Sequence, residues 1–433
     1  MPRDRSESEL EILSKLNKFT LQNPKIMKKK NLLFNLILFT IIFPVTLYSQ
    51  DWTQFRGNGR DSKVTGFKVP SSWPAELKHV WTVNVGTGDA SPVLLGNRIF
   101  VNTRQGGDEV ILCLDASTGK EIWKSQYPCQ AITGPSASAH PGPRGTPAIA
   151  DGKIVTFGVT AILTCLDISD GKVLWKRENP DNEFPQFYTG LSPLLTDGMC
   201  IVHLGTKDKG EVVALDLSTG KEKWKWTGDG PSYASPSVMV VTGQKQIVVQ
   251  TEKNLIGLSQ ADGKLLWEVA TPVQQRFYNC TSPYINGQII YFTGQGTGTK
   301  AIQINKEGDK FVTKELWHNP DIGAKWNTPI LKDGFLYGFT DIRRIYCLNA
   351  TTGATAWYDN ATNSDFATIV DCGSVIIGLP STSNLLVFKP DNTSYQEVAR
   401  YKVSDTPIYA FPVIAGNNIY IKDTDSLILY RLE

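Results

Sequence analysis

Histidine is scarce in this sequence, and cysteine is present without the spacing of a metal site. The four histidines, His79, His140, His203 and His318, are scattered along 433 residues and read as packing or surface residues rather than members of a triad. No Gly-x-Ser-x-Gly stretch is present, which removes the commonest local sign of a serine hydrolase. The seven cysteines form no CxxC and no Cys/His cluster, so a zinc site is not indicated. After residue 50 there is no helix-period segment of useful length. Positive charge is not concentrated either. Residues 1–50 hold eight of the 44 Lys/Arg and four of the 42 Asp/Glu, which leaves 36 against 38 and a net charge of −2 for the remainder. A near-neutral domain without a basic stripe excludes nucleic acid as an expected partner.

What is present begins with a short apolar run near the N-terminus. Residues 1–26 are polar and show no core pattern. From Met27 the chain reads Lys28-Lys29-Lys30, then an apolar stretch from Leu32 to Leu47, then Tyr48-Ser49-Gln50. A basic n-region followed by an h-region of this length predicts a secretory signal peptide over 27–50, with Met27 the expected initiator and 1–26 an extension outside the translated chain. The stretch is short for a membrane span and is interrupted by Asn35 and Pro44, so no transmembrane segment is expected once the signal is removed. The expected location is periplasmic or secreted.

The rest of the chain is organised around a repeat. Leu114-Asp115-Ala116-Ser117-Thr118-Gly119-Lys120-Glu121-Ile122-Trp123 recurs as Leu166-Asp167 through Asp170-Gly171-Lys172 to Trp175, and again as Leu215-Asp216 through Thr219-Gly220-Lys221 to Trp224. Weaker copies end at Trp267, Trp317 and Trp357. Each is a strand, a turn started by a carboxylate that can accept backbone N–H groups, a glycine where the hairpin needs positive φ, and a strand that buries a tryptophan. Burying one indole removes about 150–250 Å² from water, an upper value of roughly 4–6 kcal/mol at about 25 cal/mol/Å². Trp81, Trp123, Trp175, Trp224, Trp267, Trp317 and Trp357 are spaced 42, 52, 49, 43, 50 and 40 residues apart, and are the expected docking residues of successive propeller blades.

A second landmark sets the blade count. Strands are opened by Ser91-Pro92, Thr146-Pro147, Ser192-Pro193, Ser235-Pro236, Ser282-Pro283 and Thr328-Pro329, with Thr368-Ile369 and Phe411-Pro412 as variants. Proline at a strand's first residue forfeits no ladder bond. The expected fold is all-β: an eight-bladed β-propeller of four-stranded antiparallel blades over 79–433, with 51–78 as lead-in. The last unit lacks a fourth strand and the first Trp-bearing strand, His79–Val85, has no blade before it, so joining the two closes the ring and removes both edges. Seven blades is the runner-up, because units seven and eight have degenerate motifs. Cys113, Cys165 and Cys347 share one strand position, matched elsewhere by Ala214 and Gly257, and are expected to be free buried thiols. Cys129, Cys200, Cys280 and Cys372 are too scattered to assign.

The Asp-x-x-Thr-Gly-Lys-x-x-Trp pattern resembles the tryptophan-docking repeat of pyrroloquinoline-quinone-like (PQQ-like) propellers, and Trp52-Thr53-Gln54-Phe55-Arg56-Gly57 looks like a lead-in of exported members. The resemblance covers about 51–433. That family includes quinoprotein dehydrogenases and the propeller lipoprotein of the outer-membrane barrel assembly machine. In the dehydrogenase branch, the resemblance implies PQQ stacked against a disulfide of adjacent cysteines, with calcium. Here no two cysteines are adjacent, and no Asp/Glu cluster announces calcium. The apolar stretch is not followed by the cysteine of a lipid-anchored N-terminus. The expected protein is therefore an exported, non-catalytic, monomeric binding or scaffold propeller without metal or cofactor. A PQQ-dependent alcohol or sugar dehydrogenase and a carbohydrate-binding module are the alternatives.

The expected site is one mouth of the central channel. Just before the strand-opening landmarks lie Asp89, Arg144, Tyr188, Tyr233, Tyr278, Lys325, Trp326, Asp365, Phe366 and Tyr409, and Arg343 and Arg344 are expected on the same face from a second-to-third-strand loop. Aromatic faces with a few fixed charges suit a protein partner's edge or a saccharide.

Overall fold

Thirty-two strands pair into eight separate four-stranded antiparallel sheets, with no strand ladder running from one sheet to another. The structure, a computed structural model, describes residues 50–134, 138–273 and 278–433. The expected signal peptide over 27–50 therefore lies, but for Gln50, outside the described residues.

Blade 1 shows the pattern: an inner strand Val93–Leu95, then Arg98–Gln105, Asp108–Asp115 and the outer Glu121–Pro128. The two middle strands are buried on both faces, because neighbouring blades cover each side, and so they read as near-continuous apolar runs. The outer strand alternates, with Trp123 buried between exposed neighbours. Blade 8 is completed by the chain's beginning. Lys78–Asn84 pairs with Ser426–Arg431, setting Trp81 opposite Leu429 and Val83 opposite Leu427. The ring is eight blades, not seven, and it closes by the predicted strand exchange. Lys422 adds a clasp at this seam, its buried ammonium donating to the carbonyls of Gly88 (3.1 Å), Asp423 (2.7 Å) and Thr424 (3.2 Å).

The repeat's tryptophans join one blade to the next. Trp123 Nε1 donates to Ile168 O of blade 2 at 3.2 Å, Trp175 to Leu217 O of blade 3 at 2.9 Å, and Trp224 to Gln260 O of blade 4 at 2.8 Å. Each ring lies over the turn glycine of the next blade. At Gly171 the φ is +76° and a Cβ would collide with the Trp123 ring, so both backbone and space require glycine. The turn itself is held by its carboxylate: Asp115 Oδ1 accepts the Ser117 hydroxyl at 2.6 Å, which leads in drawing its pKa down, together with Ser117 N at 3.0 Å and Thr118 N at 2.8 Å. Opposite six of the seven tryptophans, just before a bulge, sits a small residue: Cys113, Cys165, Ala214, Gly257, Ala301 and Cys347. All seven cysteines are free thiols.

Trp267 departs from the expected docking. It packs with Ile290, Ile302 and Ile304 of blade 5, but its N–H donates to Gln246 Oε1 of its own blade at 2.6 Å. Blade 5 has ten-residue third and fourth strands, Gly298–Glu307 and Lys310–Asn319, which carry the turn at Gly308 beyond reach of the indole.

The strand-opening Ser/Thr has a role that spacing alone does not disclose. Thr146 N donates to Ser192 Oγ, Ser192 N to Ser235 Oγ, Ser235 N to Ser282 Oγ and Ser282 N to Thr328 Oγ1, each at 2.9 Å, and Phe411 N donates to Ser91 Oγ at 2.7 Å. A belt of hydroxyls thus stitches adjacent blades around the channel wall.

The lead-in is not a passive tether. Trp52 bridges Leu94 of blade 1, Thr53 O accepts Ile149 N of blade 2 at 2.8 Å, and Arg60 Nη1 donates to Pro193 O of blade 3 at 3.3 Å. Arg56 lies over the Tyr284 ring of blade 5 and donates to Pro329 O of blade 6 at 2.8 Å. Lys63 bridges Asp371 of blade 7, and Phe55 meets Phe411 of blade 8 edge-on at 5.5 Å. Residues 52–63 therefore cross the axis beneath the strand-opening landmarks of seven blades and fill the channel end away from the inner-strand approaches.

Candidate functional site

The remaining part of the channel is a cavity of about 620 Å³, lined by residues of all eight blades. Its wall carries the hydroxyl belt, Ser91, Thr146, Ser192, Ser235, Ser282 and Thr328, and Phe55 of the lead-in reaches it from below. Above the belt the inner-strand approaches supply two aromatic panels.

The first panel is a stack. Trp326 and Phe366 lie parallel at 4.9 Å, and Tyr409 meets Phe366 edge-on at 5.1 Å and His140 at 4.8 Å. Lys325 sits 5.3 Å from the Trp326 ring centroid and pairs with Asp365 at 3.2 Å. The second panel is a triangle of Phe187, Tyr233 and Tyr278, with centroids 5.3–6.4 Å apart. The Tyr233 hydroxyl accepts Phe187 N at 3.2 Å, and burial raises its pKa. Such contacts, made by rings from separate blades, fix the panels before any ligand arrives.

Charges in the cavity are held by partners. Asp89 Oδ2 lies 2.7 Å from His140 Nδ1, which orients the imidazole. The Arg144 guanidinium donates to His140 O at 3.1 Å and to Phe187 O, and burial lowers its pKa. Arg144 thereby ties the two panels together. Three buried donors of the cavity wall lack a partner among the described residues: Arg144 Nε, the Trp326 indole N–H and the Thr368 hydroxyl.

Of the residues read from the sequence, Asp89, Arg144, Tyr233, Tyr278, Lys325, Trp326 and Tyr409 line this one cavity. Asp365 stands behind Lys325 as its counter-ion. Tyr188 does not face the channel; it is buried against Phe184 at 4.6 Å, and its hydroxyl accepts Thr133 N at 3.0 Å. Arg343 and Arg344 are on the predicted face but displaced outward: Arg343 is exposed, and Arg344 lies over Tyr358 of the outer strand at 5.0 Å. His140, read as a packing or surface histidine, lines the cavity, as do Phe187, Cys280 and Gln295. His140 and Phe187 come from long loops, in which nothing in the spacing marks them; Gln295 comes from the hairpin between the second and third strands of blade 5, and Cys280 stands two residues before Ser282, at the repeated approach position.

The residues do not fit a metal-dependent quinone site. The cavity holds a single cysteine, Cys280, and the described residues contain no group of three His, Cys, Asp or Glu side chains placed for a metal ion.

An eight-bladed ring joined by indole-on-glycine docking, with a ligand-sized well on its axis, defines a PQQ-like β-propeller. Residues 107–359 match the family model described as outer membrane protein assembly factor BamB, and the chain belongs to that family. It is 26% identical over 361 residues to outer membrane protein assembly factor BamB of Burkholderia pseudomallei (strain K96243), covering 81% of this chain and 86% of that protein. Among solved structures, BamB from Moraxella catarrhalis superposes with a TM-score of 0.62 at 14% identity, over 83% of this chain and 98% of that one. The quinohemoprotein alcohol dehydrogenase from Comamonas testosteroni gives 0.67 at 13% identity, over 88% and 80%. At these identities the structural likeness speaks for the fold alone.

Proposed function

We propose that this protein is an exported, non-catalytic binding or scaffold propeller that holds a segment of a protein partner in the axial well, in a role related to outer-membrane protein assembly. The observation that carries this reading is the pair of pre-set aromatic panels, contributed by separate blades and bound together by Arg144. Aromatic and arginine side chains in a partly desolvated well are the usual anchors of a protein interface. The family membership supports the assembly role, and the apolar stretch after Lys28-Lys29-Lys30 supports export.

The test is a comparison of the intact protein with Trp326→Ala/Tyr278→Ala, each used to capture partners from periplasmic extract. Both side chains line the well outside the hydroxyl belt and the indole docks that join the blades, so the double variant is expected to stay folded, with a melting temperature lowered only by its lost ring contacts, and to lose its partner. Equal capture by both proteins would overturn the reading. A saccharide partner, the second occupant such a wall suits, would appear instead as binding to glycan arrays that the double variant lacks.

A further inference from the structure

Beyond Phe55, the lead-in motif from Arg56 to Arg60 does not line the axial well, yet its two arginines are held with unusual care. Arg56 and Arg60 both sit in the left-handed backbone region, at φ +62° and +54°, as does Ser62 at +59°. Non-glycine residues hold that conformation only where surrounding contacts impose it. Arg56 is satisfied: Nε donates to Ser62 Oγ at 2.9 Å, Nη2 to Pro329 O at 2.8 Å, and its face covers Tyr284. Arg60 is not. Nη1 donates to Gln54 Oε1 at 3.1 Å and Pro193 O at 3.3 Å, while Nε and Nη2 are buried with no acceptor among the described residues.

Those two nitrogens form one edge of the guanidinium, the fork that matches the two oxygens of a carboxylate or phosphate. Beside Arg60 is a second cavity, of about 260 Å³, at the end of the molecule opposite the aromatic well. It is bounded by the lead-in, by Leu194–Thr196 of blade 3, by Ser237 and Val238 of blade 4 and by Pro283–Ile285 of blade 5. Asn58, Thr196 and Ser237 add amide and hydroxyl donors to its wall. One carboxylate, Asp61, shares the wall, and it is engaged by Lys63, whose backbone N–H lies 3.2 Å away and whose ammonium lies 4.0 Å away.

We propose that the free Nε/Nη2 edge of Arg60 binds a small oxyanion, a carboxylate or a phosphate, in this cavity. The bound anion would supply the missing acceptors and join the lead-in to blades 3, 4 and 5, where, among the described residues, its direct bond is Arg60 to Pro193 and its ring contact is Arg56 on Tyr284. The site is an anchor for the segment that fills the channel end, independent of what the aromatic well holds.

The experiment uses the intact protein at constant ionic strength, titrated with sodium acetate and, separately, with inorganic phosphate against sodium chloride. Melting temperature and tryptophan emission are followed; Trp52 lies against Gly57 of the same segment. The expected result is a saturable rise in melting temperature with at least one of the two anions, with apparent affinity weakened tenfold or more in Arg60→Gln. Ser237→Ala keeps every charge and the fold, and weakens the same affinity several-fold. A non-saturable response, no response, or an identical response in Arg60→Gln or Ser237→Ala would overturn the site and leave an adventitious ion only. Partner capture by the aromatic well is unchanged in Ser237→Ala, which separates this proposal from the one above.

Discussion

Serine and threonine at the head of each inner strand act through their oxygens. Ser235 Oγ accepts the backbone N–H of Ser192 from the neighbouring blade at 2.9 Å, in a buried position. Ser235→Ala leaves that N–H without an acceptor, which is expected to destabilise by about 1–3 kcal/mol, whereas Ser235→Thr keeps the bond and most of the stability. Urea denaturation of the three proteins checks this. A second residue sets the acid limb of the stability curve. His203 is buried, with Nε2 3.1 Å from Asp229 O, and desolvation lowers its pKa from 6.5 to about 4. Its folded form is therefore neutral where the unfolded chain is charged. The stability this contributes is complete above pH about 6.5 and is lost as pH falls toward about 4. His203→Gln is expected to flatten that part of the pH profile relative to wild type, and an unchanged slope would count against it. The aspartate and glycine of the repeat were legible in sequence because their partners are two to four residues away. The hydroxyl belt was legible only as a position, because each partner lies some 43 to 47 residues along the chain, in the next blade.

At the scale of the strand and its turn, the indole-on-glycine contact is the unit that the period reports. Gly171 and Gly308 allow it to be weighed. Both have positive φ, +76° and +59°, but only at Gly171 would a Cβ meet an indole ring, while Gly308 has open space. Gly308→Ala is expected to cost about 1 kcal/mol, the left-handed penalty alone. Gly171→Ala adds displacement of Trp123 from its dock and is expected to cost roughly 3 kcal/mol or more. Equal losses in thermal denaturation would show that the ring yields without consequence. Blade 5 escaped the sequence pattern because its extra-long hairpin moves the turn away from Trp267. The same limit applies to the well. The inner-strand approaches repeat, so Tyr233, Trp326 and Tyr409 could be aligned from sequence. Tyr188 could not be placed, since whether an approach residue turns inward depends on loops that pack over it, here through Phe184 and Thr133.

For the whole molecule, closure depends on Lys78–Asn84. A chain beginning at Ser91 leaves the Ser426–Arg431 strand as an open edge and strips Trp81 from Tyr420, 6.1 Å away in the last blade. It is expected to aggregate in size-exclusion chromatography, whereas a chain beginning at Lys78 keeps eight complete blades and stays monomeric with a lowered melting temperature. The strand count and the exchange could be inferred because an orphan strand and a missing strand are both visible in the repeat. The lead-in's path across the axis was not, since it repeats nothing and its contacts are spread over seven blades.

That path has a consequence for traffic. A ring with a hole is a conduit, through which a polymer can be threaded and read at any point along its length. A ring stoppered by its own N-terminal segment is a dead end. Whatever enters between the aromatic panels must leave the way it came, and a long chain can offer only a tip or a side branch. Selection at such a place acts on termini and protrusions, and the middle of an extended strand passes unread.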